Sequence, residues 1–267
     1  MDITVHSAGS LFPHAEIKNA VRSRQVPMGE FLLSRLSNED AAYALDAQPF
    51  VATSLADAEK LWTAQKPVVT ELLAEQGLMP LFSVPWPAQG LYTNGQIDRV
   101  EDLEGLRFRA YNAALEEMAA IAGAAPVQVE VPDIPQAFST GQVEAMITSS
   151  STGANTSAWD YLSHFSPINA WLPKNVVVVN QRMFDGLDPA VQEAVMTAAA
   201  AAEARGWEMS AAEDTSKIEE LKAGGITVYQ PTETLNTGLQ EIGAQMLENW
   251  KGSASEAGLS VLTAYEE

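Results

Sequence analysis

The sequence contains no cysteine and only three histidines among its 267 residues. The absence of cysteine excludes disulfide bonds and thiolate chemistry. The histidines, at positions 6, 14 and 164, are too scattered to indicate a zinc site. Neither a glycine-rich phosphate loop nor a nucleophile elbow occurs in the sequence. These absences argue against disulfide-stabilised, zinc-dependent and nucleotide-binding proteins, and no cofactor is expected.

Basic residues are also scarce, since 15 lysines and arginines stand against 35 aspartates and glutamates, a net charge of −20. Nucleic acid is not expected as a partner, because binding it requires a basic surface that neutralises phosphates. The acidic excess instead favours solubility. No apolar run reaches the roughly 20 residues that a membrane-spanning helix requires. The length is sufficient for a large core and one or two domains.

The most informative stretch, residues 100–151, alternates strand patterns with helix patterns. Its helices are predicted to end at Gly123 and Gly141, because glycine readily adopts the left-handed conformation of a helix end. Asp133 is predicted to cap the second helix. The strands are predicted over residues 106–110, 126–131 and 143–147. Strand–helix alternation of this kind is typical of an α/β protein with a mostly parallel sheet.

Two arginines, Arg107 and Arg109, occupy alternate positions of the first predicted strand. Apolar residues occupy the positions between them, so both guanidinium groups lie on one face of the strand. Ligands of such sheets bind beyond the carboxyl ends of the strands. A guanidinium held there can bind a carboxylate through charged hydrogen bonds of about 1.5–3 kcal/mol each. The alternative, an exposed arginine paired with an acidic neighbour, fits the pattern equally well.

A run of hydroxyl side chains, residues 148–152, follows the third predicted strand. In a binding pocket, Thr148 and Ser149 would donate hydrogen bonds to a ligand. In an α/β hydrolase or isomerase, the serines at 149–151 would instead supply a nucleophile. A nucleophile needs a base within about 2.6–3.2 Å, and no histidine lies close to these serines in the sequence. The pattern therefore favours binding over catalysis.

Three segments carry a family resemblance: DLEGLRFR at 102–109, GAAP at 123–126 and FSTGQVEA at 138–145. They are similar to the signature region of the DctP-type solute-binding proteins, the periplasmic receptors of tripartite ATP-independent (TRAP) transporters. Further segments that resemble the family, in the same order along the chain, lie at residues 26–30, 44–50, 77–80 and 172–188. The resemblance therefore covers nearly the whole chain.

The resemblance implies a two-domain periplasmic binding protein fold, with mostly parallel sheets, flanking helices and a central cleft. Domain I would comprise residues 1–86 and 174–215, and domain II residues 87–173 and 216–267. A long connecting helix would begin at Asp188-Pro189, where Asp188 is predicted to cap it and proline occupies the first helical position. Residues 3–7 alternate as a strand. The N-terminus does not resemble a signal peptide. By comparison with the family, the chain is expected to begin inside the second strand, without the family's signal peptide, first strand and first helix.

By the same resemblance, the protein is expected to be a periplasmic monomer that captures a small organic acid by domain closure. It would deliver this ligand to the small and large membrane subunits of a TRAP permease, without ATP hydrolysis. In a second rival interpretation, the protein binds the same acids but passes a signal to a membrane sensor kinase. The sequence does not separate transport from sensing.

Arg109 is predicted to anchor the ligand's carboxylate, while Arg107 is assigned either a structural role or a part in the electrostatic surroundings of the site. The absence of a further arginine near Gln89, where some relatives carry one, argues against a dicarboxylate. A monocarboxylate such as an aromatic or 2-oxo acid is expected, or a zwitterion if Glu30 lines the pocket. The remaining predicted contacts are the hydrogen-bond donors Thr148, Ser149 and Asn175, the polar residues Glu30 and Gln89, and the apolar wall Phe12, Phe31, Trp86 and Trp171.

Overall fold

Two sheets organise the chain in the computed structural model, which describes residues 3–267. The first sheet has the strand order β1-β8-β2 and the second the order β5-β4-β6-β3-β7-β9. The strands are β1 (Met28–Leu32), β2 (Leu78–Pro85), β3 (Gln89–Thr93), β4 (Arg107–Ala110), β5 (Ala125–Gln128), β6 (Ala145–Ser149), β7 (His164–Ser166), β8 (Lys174–Asn180) and β9 (Thr227–Val228).

Helices cover the sheets and connect most of the strands. Ser54 caps α2 by accepting a hydrogen bond from the backbone N–H of Asp57, and α2 continues through Pro67. The helices are α1 (Ile17–Arg22), α2 (Leu55–Ala74), α3 (Ala113–Ile121), α4 (Ile134–Ser139), α5 (Ser150–Asn155), α6 (Gln181–Asp185), α7 (Pro189–Gly224), α8 (Glu233–Ser253) and α9 (Glu256–Glu266).

The α/β class is confirmed, but the sheets are mixed rather than mostly parallel. In the first sheet β8 runs antiparallel to both β1 and β2. In the second sheet β4 is parallel to β5 and β6, whereas β3 is antiparallel to β6 and β7. Connectivity explains the difference, because β2 and β8 are the strands by which the chain leaves and re-enters the first lobe. Strands that leave and enter through one crossing run in opposite directions.

The two crossing segments between the lobes are hydrogen-bonded to each other. The backbone N–H of Trp86 donates to the carbonyl of Pro173 at 2.8 Å, and that of Gln89 donates to Trp171 at 2.9 Å. The strands of the first sheet lie within residues 1–86 and 174–215, and those of the second within the other two predicted ranges. The domain boundaries themselves stay a prediction.

The last helix departs from the predicted domain assignment. Val261 and Leu262 of α9 are buried in one apolar cluster with Leu61 of α2. Because α2 belongs to the first lobe, α9 packs against that lobe and not, as assigned from the sequence, against the second.

The predicted long helix is confirmed as α7, which has 36 residues. At its middle, Gly206 lies so close to β2 that an added Cβ would stand 2.4 Å from a methyl carbon of Val84. Further along, Asp214 accepts a hydrogen bond of 2.6 Å from Ser150 in the second lobe. The helix therefore supports both lobes from behind. None of the helices in residues 3–267, α7 included, is apolar enough over a sufficient length to cross a membrane.

Some local predictions are wrong at the chain's start and at two helix ends. Residues 3–7 form no strand, and Ile3 and Val5 are exposed. Alternation alone does not make a strand, because each strand needs a neighbour that accepts its backbone hydrogen bonds. Asp133 and Asp188 precede helices as predicted, but neither side chain makes a capping hydrogen bond.

A buried ion pair fixes the start of β8 beside the crossing. The backbone N–H of Lys174 donates to Asp46 Oδ2 at 2.8 Å, and Lys174 Nζ lies 3.3 Å from the same oxygen. Both side chains are fully buried. Burial raises the pKa of Asp46 and lowers that of Lys174, while the charge of each group opposes the shift of the other. The segment before α2 is thereby tied to the strand that returns from the second lobe.

Replacing Lys174 with methionine should lower the free energy of unfolding by about 3–5 kcal/mol, because the buried Asp46 carboxylate is left without its counter-ion. The double variant Asp46→Leu, Lys174→Met should recover most of this loss. Urea denaturation followed by circular dichroism measures both effects. Lys222→Met is the control, since its pair with Glu219 is exposed and such pairs contribute about 0–1 kcal/mol. Equal losses in Lys174→Met and Lys222→Met would contradict the role of the buried pair.

Candidate functional site

A cavity lies between the lobes, where the parallel strands β4, β5 and β6 end. It offers about 70 Å³ to the centres of water molecules, and one water needs roughly 10–15 Å³ on this scale. The space therefore fits several waters or a compact organic molecule. Its charged and polar lining comes from both lobes and includes His14, Arg35, Arg109, Glu130, Thr148 and Asn175.

Arg109 is the most deeply buried charge at this cavity, with 1% of its surface exposed. Its Nε donates to the carbonyl of Val129 at 3.0 Å. The terminal nitrogens have no acceptor, and no carboxylate lies within ion-pair distance, among residues 3–267. Burial lowers the pKa of Arg109 to about 10, so the guanidinium remains charged at neutral pH. The protein thus presents a buried positive charge that it does not neutralise itself.

Tyr111 supports this guanidinium from below, with the ring centroid 4.9 Å from Arg109 Cζ. The Tyr111 hydroxyl donates to Gln89 Oε1 at 3.0 Å and accepts from Trp171 Nε1 at 3.2 Å. Gln89 Nε2 donates in turn to the carbonyl of Pro87 at 2.9 Å. Gln89 borders the cavity, but both ends of its amide are engaged in holding the ring. Gln89 and Trp171 therefore position Tyr111, and through it Arg109.

The hydroxyl run divides between the cavity and the protein interior. Thr148 is buried against the cavity, and its hydroxyl makes no hydrogen bond with any described residue. Ser149 also borders the cavity, but its Oγ caps α5 by accepting from the backbone N–H of Thr152 at 3.0 Å. Ser150 and Ser151 donate to acidic residues of α7. Thr148 alone of these four keeps a free donor and acceptor for a ligand.

Asn175 and Trp86 form another part of the lining. Trp86 Nε1 donates to Asn175 Oδ1 at 2.9 Å, and Asn175 Nδ2 donates to Glu30 Oε1 at 2.7 Å. Glu30 itself is exposed and does not border the cavity. Its carboxylate therefore orients the Asn175 amide from the outside.

Three of the four predicted wall aromatics lie away from the cavity. Phe31 and Trp171 are 2% and 1% exposed and belong to apolar cores. Phe12 lies in the N-terminal loop and does not border the cavity either. Side chains of a strand alternate between faces, and Phe31 takes the face that packs on the helices. Trp86 does line the cavity, together with residues that the sequence did not single out: Leu32, Tyr111, Val131 and Pro173.

Sequence reasoning also missed an ion pair that joins the lobes at the cavity. Arg35 Nη1 donates to Glu130 Oε1 at 2.8 Å and to the backbone carbonyl of Tyr111 at 3.2 Å. His14 Nδ1 lies 3.8 Å from Glu130 Oε2. The backbone N–H of Leu32 donates to His14 Nε2 at 3.0 Å, so a neutral His14 ring carries its proton on Nδ1, toward Glu130.

These neighbours keep Glu130 ionised. His14 and Arg35 hold the pKa of Glu130 at about 2, although its partial burial acts in the opposite direction. Glu130 follows the end of β5. Because ligands of such sheets bind beyond the carboxyl ends of the strands, this position could have identified Glu130 as a candidate site residue. No comparable local signal marked Arg35.

A two-lobed α/β fold with a buried cation at the cavity between its lobes is the arrangement expected of a solute-binding receptor. The model of the bacterial extracellular solute-binding protein family 7, DctP, matches residues 1–253. The chain therefore belongs to the DctP family, whose members are TRAP solute receptors and not enzymes. No curated protein sequence matches the chain.

Solved structures of the same family agree closely with this fold. Two are extracytoplasmic solute receptors of Bordetella pertussis that bind pyroglutamic acid. DctP7 is 39% identical with a TM-score of 0.98 and covers 100% of this chain and 88% of its own. DctP6 is 42% identical with a TM-score of 0.96, covering 98% and 87%. The third, a marine metagenome TRAP solute-binding protein specific for pyroglutamate, is 38% identical with a TM-score of 0.96, covering 99% and 87%.

Glu130→Gln should make the stability of the protein less sensitive to acid. The pKa of Glu130 is lowered from 4.5 to about 2 on folding, so its stabilisation is complete above the unfolded value and is lost as the pH falls toward 2. Between about pH 5 and pH 2.5, the parent should therefore lose more of its urea stability than the variant. Arg35→Gln, which removes one of the two causes, should fall between them. Parallel losses in all three proteins would contradict this assignment.

Proposed function

We propose that this protein is the periplasmic receptor of a TRAP transporter and that its ligand is pyroglutamate, the cyclic lactam of glutamate. The observation that carries the proposal is Arg109, a buried guanidinium at a compact cavity. Its terminal nitrogens have no acceptor, and no carboxylate lies within ion-pair distance of it, among residues 3–267. A buried charge is strongly unfavourable without a partner. A monocarboxylate ligand supplies that partner.

Relatives support the choice of ligand within the monocarboxylates. Three structures that are 38–42% identical to this chain bind pyroglutamic acid or pyroglutamate. Each covers at least 98% of this chain. Pyroglutamate has nine non-hydrogen atoms by its formula, which suits a cavity with room for several waters.

The lining offers a partner for each part of such a molecule. Arg109 would bind the carboxylate through both terminal nitrogens. Thr148 has a free hydroxyl, and Asn175 keeps one N–H beyond its bond to Glu30, so these two would serve the lactam group. Trp86 and Tyr111 present apolar surfaces to the ring methylenes. Ser149 would contribute through its position on the wall, because its hydroxyl is already bonded to Thr152.

Because these groups come from both lobes, ligand binding would favour the closed arrangement over the open one. The closed form would then deliver the ligand to the small and large membrane subunits of the permease. This function places the protein in the periplasm, where we expect it to act as a monomer.

Arg109→Met should weaken pyroglutamate binding by at least about 100-fold, because two charged hydrogen bonds of roughly 1.5–3 kcal/mol each are lost. Isothermal titration calorimetry of the purified parent and variant measures the change. With pyroglutamate present at 100 times its dissociation constant, the free energy of unfolding of the parent should also rise by about 2.7 kcal/mol.

Arg107→Met is the matched control for this experiment. Arg107 lies two positions away on the same strand, is exposed and pairs with Glu144 at 2.9 Å. Its replacement changes the net charge equally and should leave the affinity within about twofold. If both variants lose the same affinity, the effect arises from net charge, and the anchoring role of Arg109 is refuted.

A panel of related acids tests the identity of the ligand. Cyclopentanecarboxylate keeps the ring and the carboxylate but lacks the lactam, whereas L-proline carries a charged amine in its place. Both should bind at least tenfold more weakly than pyroglutamate in calorimetry, because buried polar groups that lose their partner destabilise a complex by about 1–3 kcal/mol. Equal affinity for all three would show that the lactam is not recognised.

A further inference from the structure

We infer that Glu130 restricts the cavity to ligands with one carboxylate by neutralising Arg35, a second guanidinium that would otherwise bind another carboxylate. This inference rests on the proposed function, since it assumes that the cavity binds small organic acids. It assigns Glu130 a role in ligand selection beyond that of joining the two lobes.

Two guanidinium groups border the same cavity. Arg109 comes from the second lobe and has no carboxylate within ion-pair distance in residues 3–267, whereas Arg35 comes from the first lobe and binds Glu130 at 2.8 Å. They are linked through Tyr111, whose backbone carbonyl accepts from Arg35 and whose ring lies below Arg109. One cation is therefore free for a ligand, and the other is engaged by a protein acid.

The charges of the lining match a monoanion. Arg109, Arg35 and Glu130 together carry one positive charge, and His14 accepts a hydrogen bond from the Leu32 N–H, as a neutral ring does. One ligand carboxylate at Arg109 brings the sum to zero. A second carboxylate would have to displace Glu130 from Arg35, and two like charges would then share a partly desolvated space. Dicarboxylates such as succinate are rejected for this reason.

Arg35 would keep its place if Glu130 were neutral. Its hydrogen bond to the Tyr111 carbonyl does not depend on the charge of Glu130, and its side chain is only about one-fifth exposed. Glutamine at position 130 has nearly the same shape as glutamate and can still accept one hydrogen bond. The substitution Glu130→Gln therefore frees the charge of Arg35 while changing little else in the cavity.

The test compares the affinities of succinate, glutarate and pyroglutamate for the parent, Glu130→Gln and the double variant Glu130→Gln, Arg35→Met. Calorimetry on the purified chains gives the ratio of dicarboxylate to monocarboxylate affinity for each protein. This ratio should rise at least tenfold in Glu130→Gln for one of the two dicarboxylates. It should return to the parental value in the double variant, because the second carboxylate again has no cation.

Glu144→Gln provides a matched control. Glu144 also pairs with an arginine, Arg107, at 2.9 Å, but it lies outside the cavity lining. The substitution removes one acid from one acid–arginine pair, as Glu130→Gln does, and should leave the affinity ratio unchanged. A rise in this control as large as in Glu130→Gln would mean that net charge, and not Arg35, controls the selection.

The remaining outcomes also decide the inference. A parent that binds succinate as tightly as pyroglutamate overturns it, and so does an unchanged ratio in a folded Glu130→Gln variant. If circular dichroism shows that this variant is unfolded, Glu130→Ala carries the same expectation. A parent that binds another monocarboxylate instead of pyroglutamate refutes the proposed ligand alone, and the ratio is then measured against the acid that it does bind.

Discussion

Burying a guanidinium without a carboxylate beside it destabilises a folded protein, and Arg109 is held in this condition. Its Nε is bonded to the carbonyl of Val129, and the Tyr111 ring lies below its plane, so its orientation is fixed before any ligand arrives. The hydrogen-bonded chain from Trp171 through Tyr111 to Gln89 fixes that ring in turn. A carboxylate that enters the cavity meets donors already in place, which reduces the entropy lost on binding.

Contacts between the two lobes hold them around the charge of Arg109. Arg35 binds Glu130 across the cleft, and Asn112 Nδ2 donates to Ser34 Oγ at 2.9 Å nearby. On the opposite side, the two crossing segments are hydrogen-bonded to each other. The crossing limits how the lobes can move, whereas the cleft contacts are few and polar. Such contacts can break and re-form, so in the proposed function the balance between open and closed arrangements would depend on what fills the cavity.

Local signals in the sequence predict much of this fold and the centre of its site. Gly123 and Gly141 adopt the left-handed conformation expected where α3 and α4 end, and the alternation within β4 singles out Arg109, which borders the cavity. Interactions between distant residues leave no such signal. Arg35 and Glu130 are 95 positions apart, and no pattern around Arg35 distinguishes it from a solvated arginine. Phe31 was wrongly assigned to the cavity wall, because neither its residue type nor its position on β1 tells which face of the strand packs against helices.

Because the protein carries a net charge of −20, an anionic ligand has to be recognised by groups close to it and not by the charge of the whole molecule. An anion approaching the surface is repelled, but at physiological ionic strength charges beyond about 8 Å are largely screened. Inside the cavity screening is weak and the effective dielectric constant is low, so one cation at contact distance outweighs many distant acids. Long-range attraction therefore contributes little to ligand capture. Selection must arise from the few groups that touch the ligand, above all from whether a guanidinium is free, as at Arg109, or already bonded, as at Arg35.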